Sequence, residues 1–299
     1  MPNYLSVEKR KRIFHLICEG SCLRSITRIV GCSTNTVSQL QKRYSCIIEY
    51  LNKSLITELS MDEIEADEIR TFVQNISNVR WIYIALDRKS RMIIHFHIGN
   101  RDTADAKIFL SGLSQKLSTQ SQVSTDCLKS YIEAVERNPY GRVDSAVYEI
   151  QLLRANRPGE YIGREITNRV EQNNGTVRQH VSRLIRRTRC FAKKEEGLRT
   201  QLVLFFFYYN FIKKHKAVKC PPAVAAGITD EANWLDKILE YDMLFSERMK
   251  AADHKSYGVF GGKAAVKSIG QTEKDNFLQQ IAGAAQFSKR DKIAKVISI

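Results

Sequence analysis

The sequence predicts an α/β protein, a mixed sheet flanked by helices, preceded by an all-α helix-turn-helix domain. Three observations predict it. Short helical stretches joined by a Gly-containing turn open the chain. Three strand-like runs follow at close spacing: Glu65 to Gln74, Arg80 to Leu86 and Met92 to Ile98. Helical periods then alternate with one further strand, Ser121 to Asp126.

Ser6 to Glu19 reads as the first helix. Ser6 can cap it, Ile13, Leu16 and Ile17 give its buried stripe, and Gly20 stops it. Leu23 to Val30 is the second, and Gly31 and Cys32 turn the chain. Ser33 caps a third helix, Thr34 to Tyr44, with Val37 and Leu40 inward. Its outward residues are Thr34, Asn35, Thr36, Gln39 and Lys42. By chemistry these read base edges and phosphates. Cys46 to Ser60 continues as helix or linker.

The three strands at short spacing predict an antiparallel meander. His95 and His97 share one face of the third. With no third ligand in view, packing is favoured over metal binding. Thr103 to Leu117 is helical, burying Ala106, Phe109, Leu110 and Leu113. Lys129 to Glu136 is another helix. Asn138 to Gly163 reads as loops around a short apolar piece, Ala146 to Leu153. From Arg164 to Lys194, Val170, Val177, Val181, Leu184, Ile185 and Phe191 recur at helical spacing. Leu198 to Ile212 is a buried helix, followed by a basic turn, Lys213 to Lys216. Trp234 to Tyr241 is a closing helix after Pro221 and Pro222. The tail beyond Met249 is rich in Gly, Ala and Lys, and Thr272 with Asp275 can cap one more helix.

Composition narrows the function. The chain has 299 residues and 43% hydrophobic content, enough for a packed core. A net charge of +15 points to a phosphate-bearing partner or an anionic membrane. The charge is concentrated: Arg164 to Lys216 holds 13 Lys plus Arg against 4 Glu and no Asp. The longest apolar run, Leu202 to Tyr209, is far short of a membrane span. The charged N-terminus leads into no signal region. The expected location is therefore the cytoplasm, nucleoid-associated, or the nucleus of a eukaryotic host. The 7 cysteines are odd in number with no CxxC pair, which predicts reduced thiols. Cys18, Cys22, Cys32 and Cys46 match no zinc spacing and read as small buried hydrophobes.

The order of elements is three strands, helix, strand, helix, loops, helix. That is the order of a ribonuclease-H-like core. Asp67 falls in the first strand, Asp126 ends the fourth, and Glu171 lies on the later helix. Two divalent ions about 3.5–4 Å apart can hold the attacking and leaving oxygens of a phosphodiester. Mg²⁺ accepts hard oxygen ligands and keeps several waters, so three carboxylates suffice. Asp62, Glu63, Glu65, Asp87 and Asp102 are rivals by residue type. Glu171, Asn174 and Arg178 share one helix face. Arg178, Arg183, Arg186, Arg187, Lys193 and Lys194 form a cationic flank suited to DNA phosphates. The plainer reading of that flank is a solvated face, in part paired with Glu195 and Glu196.

Several ordered blocks extend the reading. EADEIRTFV, WIYIALDRKS, HIGNRDTADAKIFL, VSTDCLKSYIEAVE, NRVEQNNGTVRQ, RLIRRTRCFAKK, YYNFIKKHK and PPAVAAGITDEANWL run from about Ile64 to Leu239. Together they resemble transposases of the insertion-sequence-1 family, and EGSCLRSITRIVGCSTNTVSQL resembles that family's N-terminal DNA-binding segment. The resemblance covers about three quarters of the chain. It implies a three-carboxylate transposase that cuts and joins DNA with two Mg²⁺ or Mn²⁺ ions per active site. By position, Asp67, Asp126 and Glu171 match the catalytic and metal-binding acids. The implied partner is double-stranded DNA, both element ends and target, bound by a homo-oligomer. Two positions depart from the family: Arg70 replaces an aromatic residue and Cys127 a glycine.

The expected organisation is a helix-turn-helix domain with linker at 1–60 and a catalytic domain at 61–216. A helical extension at 217–250 and a basic tail at 251–299 complete it. Two rival functions use the same residues. One is a catalytically decayed DNA-binding protein. The other is a metal-dependent nuclease without strand transfer.

Overall fold

The computed structural model describes residues 5–119, 121–125, 129–136, 167–184, 190–231 and 233–244. The predicted loop region around Ala146 to Leu153, Asp126, Cys127, Arg186, Arg187 and the tail lie outside them. The chain divides into two compact units. One comprises residues 1–16, 23–55 and 231–299; the other comprises 17–22 and 56–230.

The first unit is helical. Helix α1 spans Val7–Cys18, its last two residues counted with the second unit, α2 spans Leu23–Val30 and α3 spans Thr34–Leu55. Gly31 closes α2 at φ +68, where a side chain would be strained, and donates its N–H to Thr27 O. The Ser33 hydroxyl accepts the Thr36 N–H at 3.0 Å and so caps α3. Ile13, Phe14, Ile26, Val37, Leu40 and Tyr44 form the buried centre. The third helix does not stop at Tyr44, because Ile47, Ile48, Leu51 and Leu55 prolong the buried stripe. A helix at residues 234–244 belongs to the same unit. Its Asp242 is 0% exposed and is paired with Arg10 at 3.2 Å and Arg43 at 2.9 Å.

The second unit is built on a four-stranded mixed sheet in the order β3-β2-β1-β4. Strand β1 is Glu63–Phe72, β2 Val79–Asp87, β3 Ile93–Gly99 and β4 Gln122–Ser124. β1 pairs antiparallel with β2, Asp67 opposite Ile84, and β2 pairs antiparallel with β3. β4 runs parallel to β1, with Ser124 opposite Glu65. Helix α4, Thr103–Ser114, is capped by Asp102, whose side chain accepts the Asp105 N–H. Helix α5 is Lys129–Glu136, α6 Asn168–His180 and α7 Glu195–Phe207.

Alternation along the strands gives the sheet two packed faces. On one, Ile69, Ile82, Ile84 and Leu86 pack against Val170 and Val177 of α6 and Leu198, Leu202 and Phe205 of α7. On the other, Tyr83 lies 5.4 Å from Phe109 of α4 and 6.1 Å from Tyr131 of α5. The two strand histidines pack here as expected. His97 bonds Asp105 at 2.6 Å, and His95 stacks on Phe109. Burial pushes the His95 ring down to about 3, which keeps it neutral.

Two further departures from the sequence reading concern helix ends. The periodic stretch beyond Val177 does not stay helical, and α6 ends at His180. Gln201 of α7 takes over the chain there, accepting the Arg183 N–H at 3.3 Å and donating to the Ser182 hydroxyl at 2.9 Å. Ser182–Leu184 is then a single 3-10 turn. The buried helix predicted to Ile212 changes pitch, and Tyr208–Ile212 forms a π turn. That turn points Asn210 at the β3 edge. Its amide donates to Ile93 O at 2.8 Å and accepts the Ile93 N–H at 3.0 Å.

Candidate active site

Residues 65, 67 and 69 of β1 point to one face, because side chains alternate along a strand. Ile69 fixes which face it is, since it packs with Val170 and Val177 of α6. Asp67 therefore faces α6, where it is half-buried.

Three contacts set the course of α6. Glu65 Oε2 accepts the Arg169 and Val170 N–H groups, both at 2.9 Å. Asn174 Nδ2 donates to Asp67 Oδ2 at 2.7 Å. Arg178 Nη1 donates to the Arg70 carbonyl at 3.4 Å. The partners rise in step along both elements, so α6 runs alongside β1 in the same direction. Glu171 falls between the first and second contacts. It is exposed, and its Oε1 accepts the Thr167 hydroxyl at 3.2 Å.

Asp67 and Glu171 are thus carried on adjoining elements, although the Asp67–Asn174 bond spans 107 residues of sequence. Asp126 lies two residues past Ser124, the β4 partner of Glu65, and outside the described residues. Among the described residues no three His, Cys, Asp or Glu side chains converge on a metal position. The donors that Asp67 and Glu171 supply are hard oxygens, one half-buried and one open to solvent. Such donors fit a Mg²⁺ or Mn²⁺ ion that retains part of its water.

Four of the five rival acids have structural work, while Asp62 is exposed. Asp87 is buried and accepts the Ser90 N–H at 2.6 Å, closing the turn between β2 and β3. Asp102 caps α4. Glu63 pairs with Arg88 at 3.1 Å. Glu65, 1% exposed, does more than the sequence indicated. Thr167, at the N-cap position of α6, makes no side-chain cap, and Glu65 supplies the acceptor from the facing strand. Burial pushes the Glu65 carboxyl up. The two N–H groups and the guanidiniums of Arg88 and Arg169 pull it back. Its signal in the sequence was its place two residues before Asp67, on the same strand face. A cavity of about 590 Å³ lies at the start of β1, lined by Asp62, Glu63, Asp87, Arg88, Lys89 and Arg169 among others. Neither Asp67 nor Glu171 lines it.

The predicted DNA contacts divide by place. Thr34, Asn35, Gln39 and Lys42 are exposed on the first turns of α3, while Val37 and Leu40 are buried. Thr36 is half-buried, and its hydroxyl lies 2.8 Å from that of Ser33. Arg178 is half-buried on α6. Arg183 sits in the 3-10 turn, half-buried at the start of α7; a Cβ added to Gly197 would come 3.3 Å from its guanidinium carbon. Lys193 and Lys194 are exposed just ahead of α7, where neighbouring Glu195 pairs with Arg80 at 2.9 Å. Among the described residues no helix is long and apolar enough to cross a membrane.

No protein-family model matches the chain, and no curated protein does. Among solved structures, one likeness is to the cryo-electron microscopy structure of the simian T-cell lymphotropic virus intasome in complex with the PP2A regulatory subunit B56 gamma. Identity is 12%, over 72% of this chain and 74% of that one, with a TM-score of 0.39. A likeness at that score carries no weight for fold or function.

Proposed function

We propose that the chain is a DNA transposase. It would bind the inverted ends of its own element through α3 and cut and join DNA strands at Asp67, Asp126 and Glu171. The observation that carries this reading is the 2.7 Å bond from Asn174 to Asp67, which holds the first acid against the helix bearing Glu171. The sheet order, with β4 parallel to β1 and the rest antiparallel, supports a ribonuclease-H-like core.

The residues divide the work. Asp67, Asp126 and Glu171 would hold two Mg²⁺ or Mn²⁺ ions. Bound there, such ions supply positive charge to the phosphodiester and lower the pKa of an attacking water or 3′-hydroxyl. Water attacks the phosphorus and gives up a proton, leaving a 5′-phosphate, while the P–O3′ bond breaks and the 3′-oxygen takes up a proton. That 3′-hydroxyl then attacks a phosphodiester of the target, joining to its 5′-phosphate as the target's own 3′-oxygen leaves and takes up the proton. Asn35 and Gln39 can each pair bidentately with adenine. Arg178, Lys193 and Lys194, with Arg183, Arg186 and Arg187, would hold backbone phosphates and so position the strand without reading it.

The test is nicking of element-end DNA by Asp67→Asn, Asp126→Asn and Glu171→Gln. Each should lose cleavage while retaining DNA binding. Near-wild-type cleavage by any one of them removes that residue from the site.

A further inference from the structure

We infer that Asn174 is a positioning residue, holding the Asp67 carboxylate in one rotamer for cation binding. This rests on the catalytic reading above and deepens it.

Four observations carry it. The Nδ2–Oδ2 distance of 2.7 Å is at the short end for N–H···O bonds and typical of bonds to an ionised acceptor. The orientation of the amide follows from chemistry, because a reversed amide would set its carbonyl oxygen against the carboxylate. Asn174 is only 6% exposed, so water competes poorly for the bond. Finally, Asn174 Oδ1 is buried with no hydrogen-bond partner among the described residues. Burying an unmet carbonyl costs free energy. An apolar side chain would fill the site without that cost, as Val170 and Val177 do on the same helix. Packing therefore does not account for an asparagine here, and the bond to Asp67 does. The residue also stands one helical turn after Glu171, on the face the two share.

The experiment compares wild type with Asn174→Leu, Asn174→Ala, Val177→Ala and Asp67→Asn. Mn²⁺ binding is measured by calorimetry on the DNA-free protein. Nicking is titrated with Mg²⁺, and thermal unfolding is followed for every variant. Both Asn174 variants should bind Mn²⁺ about 10–100-fold more weakly and shift the Mg²⁺ dependence of nicking to match. Val177→Ala should unfold at lower temperature with its cation dependence unchanged. If Asn174→Leu does not fold, Asn174→Ala carries the test. Wild-type Mn²⁺ affinity in the Asn174 variants overturns the inference. So does an equal shift in Val177→Ala, which would mean that any loosening of α6 acts the same way. Asp67→Asn separates the two levels. If it is inactive while the Asn174 variants are normal, only the positioning role fails. If it binds Mn²⁺ and nicks like wild type, the catalytic reading fails as well.

Discussion

Asp242, in the helical unit, is fully buried and lies between the guanidiniums of Arg10 and Arg43. Asp67, in the sheet unit, is half-buried and accepts a hydrogen bond from the neutral amide of Asn174. Burial pushes the Asp242 carboxyl up, and the two arginines draw it back. Its charge is consumed inside the fold. The Asn174 amide, by contrast, orients Asp67 and brings no charge of its own. Of two carboxylates removed from bulk water, the one matched by cations holds helices together. The one held by an amide is tied to the helix that carries Glu171.

Substitutions can break this comparison, and the largest effect belongs to Asp67. Asp67→Asn should lower nicking by ~10³-fold or more, the scale of several kcal/mol of lost charge stabilisation. Its unfolding midpoint in denaturant should stay close to wild type. A large loss of stability instead would make Asp67 structural, like Asp242.

Asp242→Asn should do the reverse. Removing one partner of a buried ion cluster leaves the others unmet, at about 3–5 kcal/mol. Equilibrium denaturation reads this directly, and cleavage per folded molecule should hold. A variant as stable as wild type would show that the cluster contributes nothing net.

Glu65→Leu tests a position between these two extremes. It strands the Arg169 and Val170 N–H groups at the start of α6, costing about 1–3 kcal/mol. Because α6 carries Glu171, cleavage should fall too, by less than in Asp67→Asn. Full activity at reduced stability would separate the cap from the site.

The smallest effect concerns exposed charge. Lys193→Ala with Lys194→Ala should leave folding unchanged. The salt dependence of duplex binding should flatten by about 0.9 in log–log slope for each phosphate no longer neutralised. An unchanged slope across several salt concentrations would make these lysines a solvated face.

The parts of the structure that the sequence made legible are those governed by local periodicity. Ile82, Ile84 and Leu86 alternate with Tyr83 and Ala85, and β2 forms where that alternation runs. The helix Leu23–Val30 lies between Cys22 and Gly31 as read. The shared face of Glu171, Asn174 and Arg178 was visible as a spacing, and Asn174 and Arg178 do reach β1 from it. What was not legible depends on partners distant in the chain. Val181 and Leu184 keep helical spacing, yet Gln201 captures the backbone after His180 and ends α6. Nothing near Arg10 announces Asp242, 232 residues away. Glu65 looked like one more acid beside Asp67, because the need it meets, two bare N–H groups, arises only when α6 docks.

The Asn210 side chain has a consequence for solubility. Among the described residues β3 is an edge strand with the sequence IIHFHIG, apolar and rich in β-formers, the kind of edge on which a second chain can add a strand and begin to aggregate. The π turn places one amide over both backbone groups of Ile93, so an incoming strand finds that rung of the ladder taken. A protein proposed to gather in several copies on one DNA end brings its sheets to high local concentration. Under crowding of that kind, a plugged edge keeps assembly under the control of the DNA and away from the runaway pairing of strands.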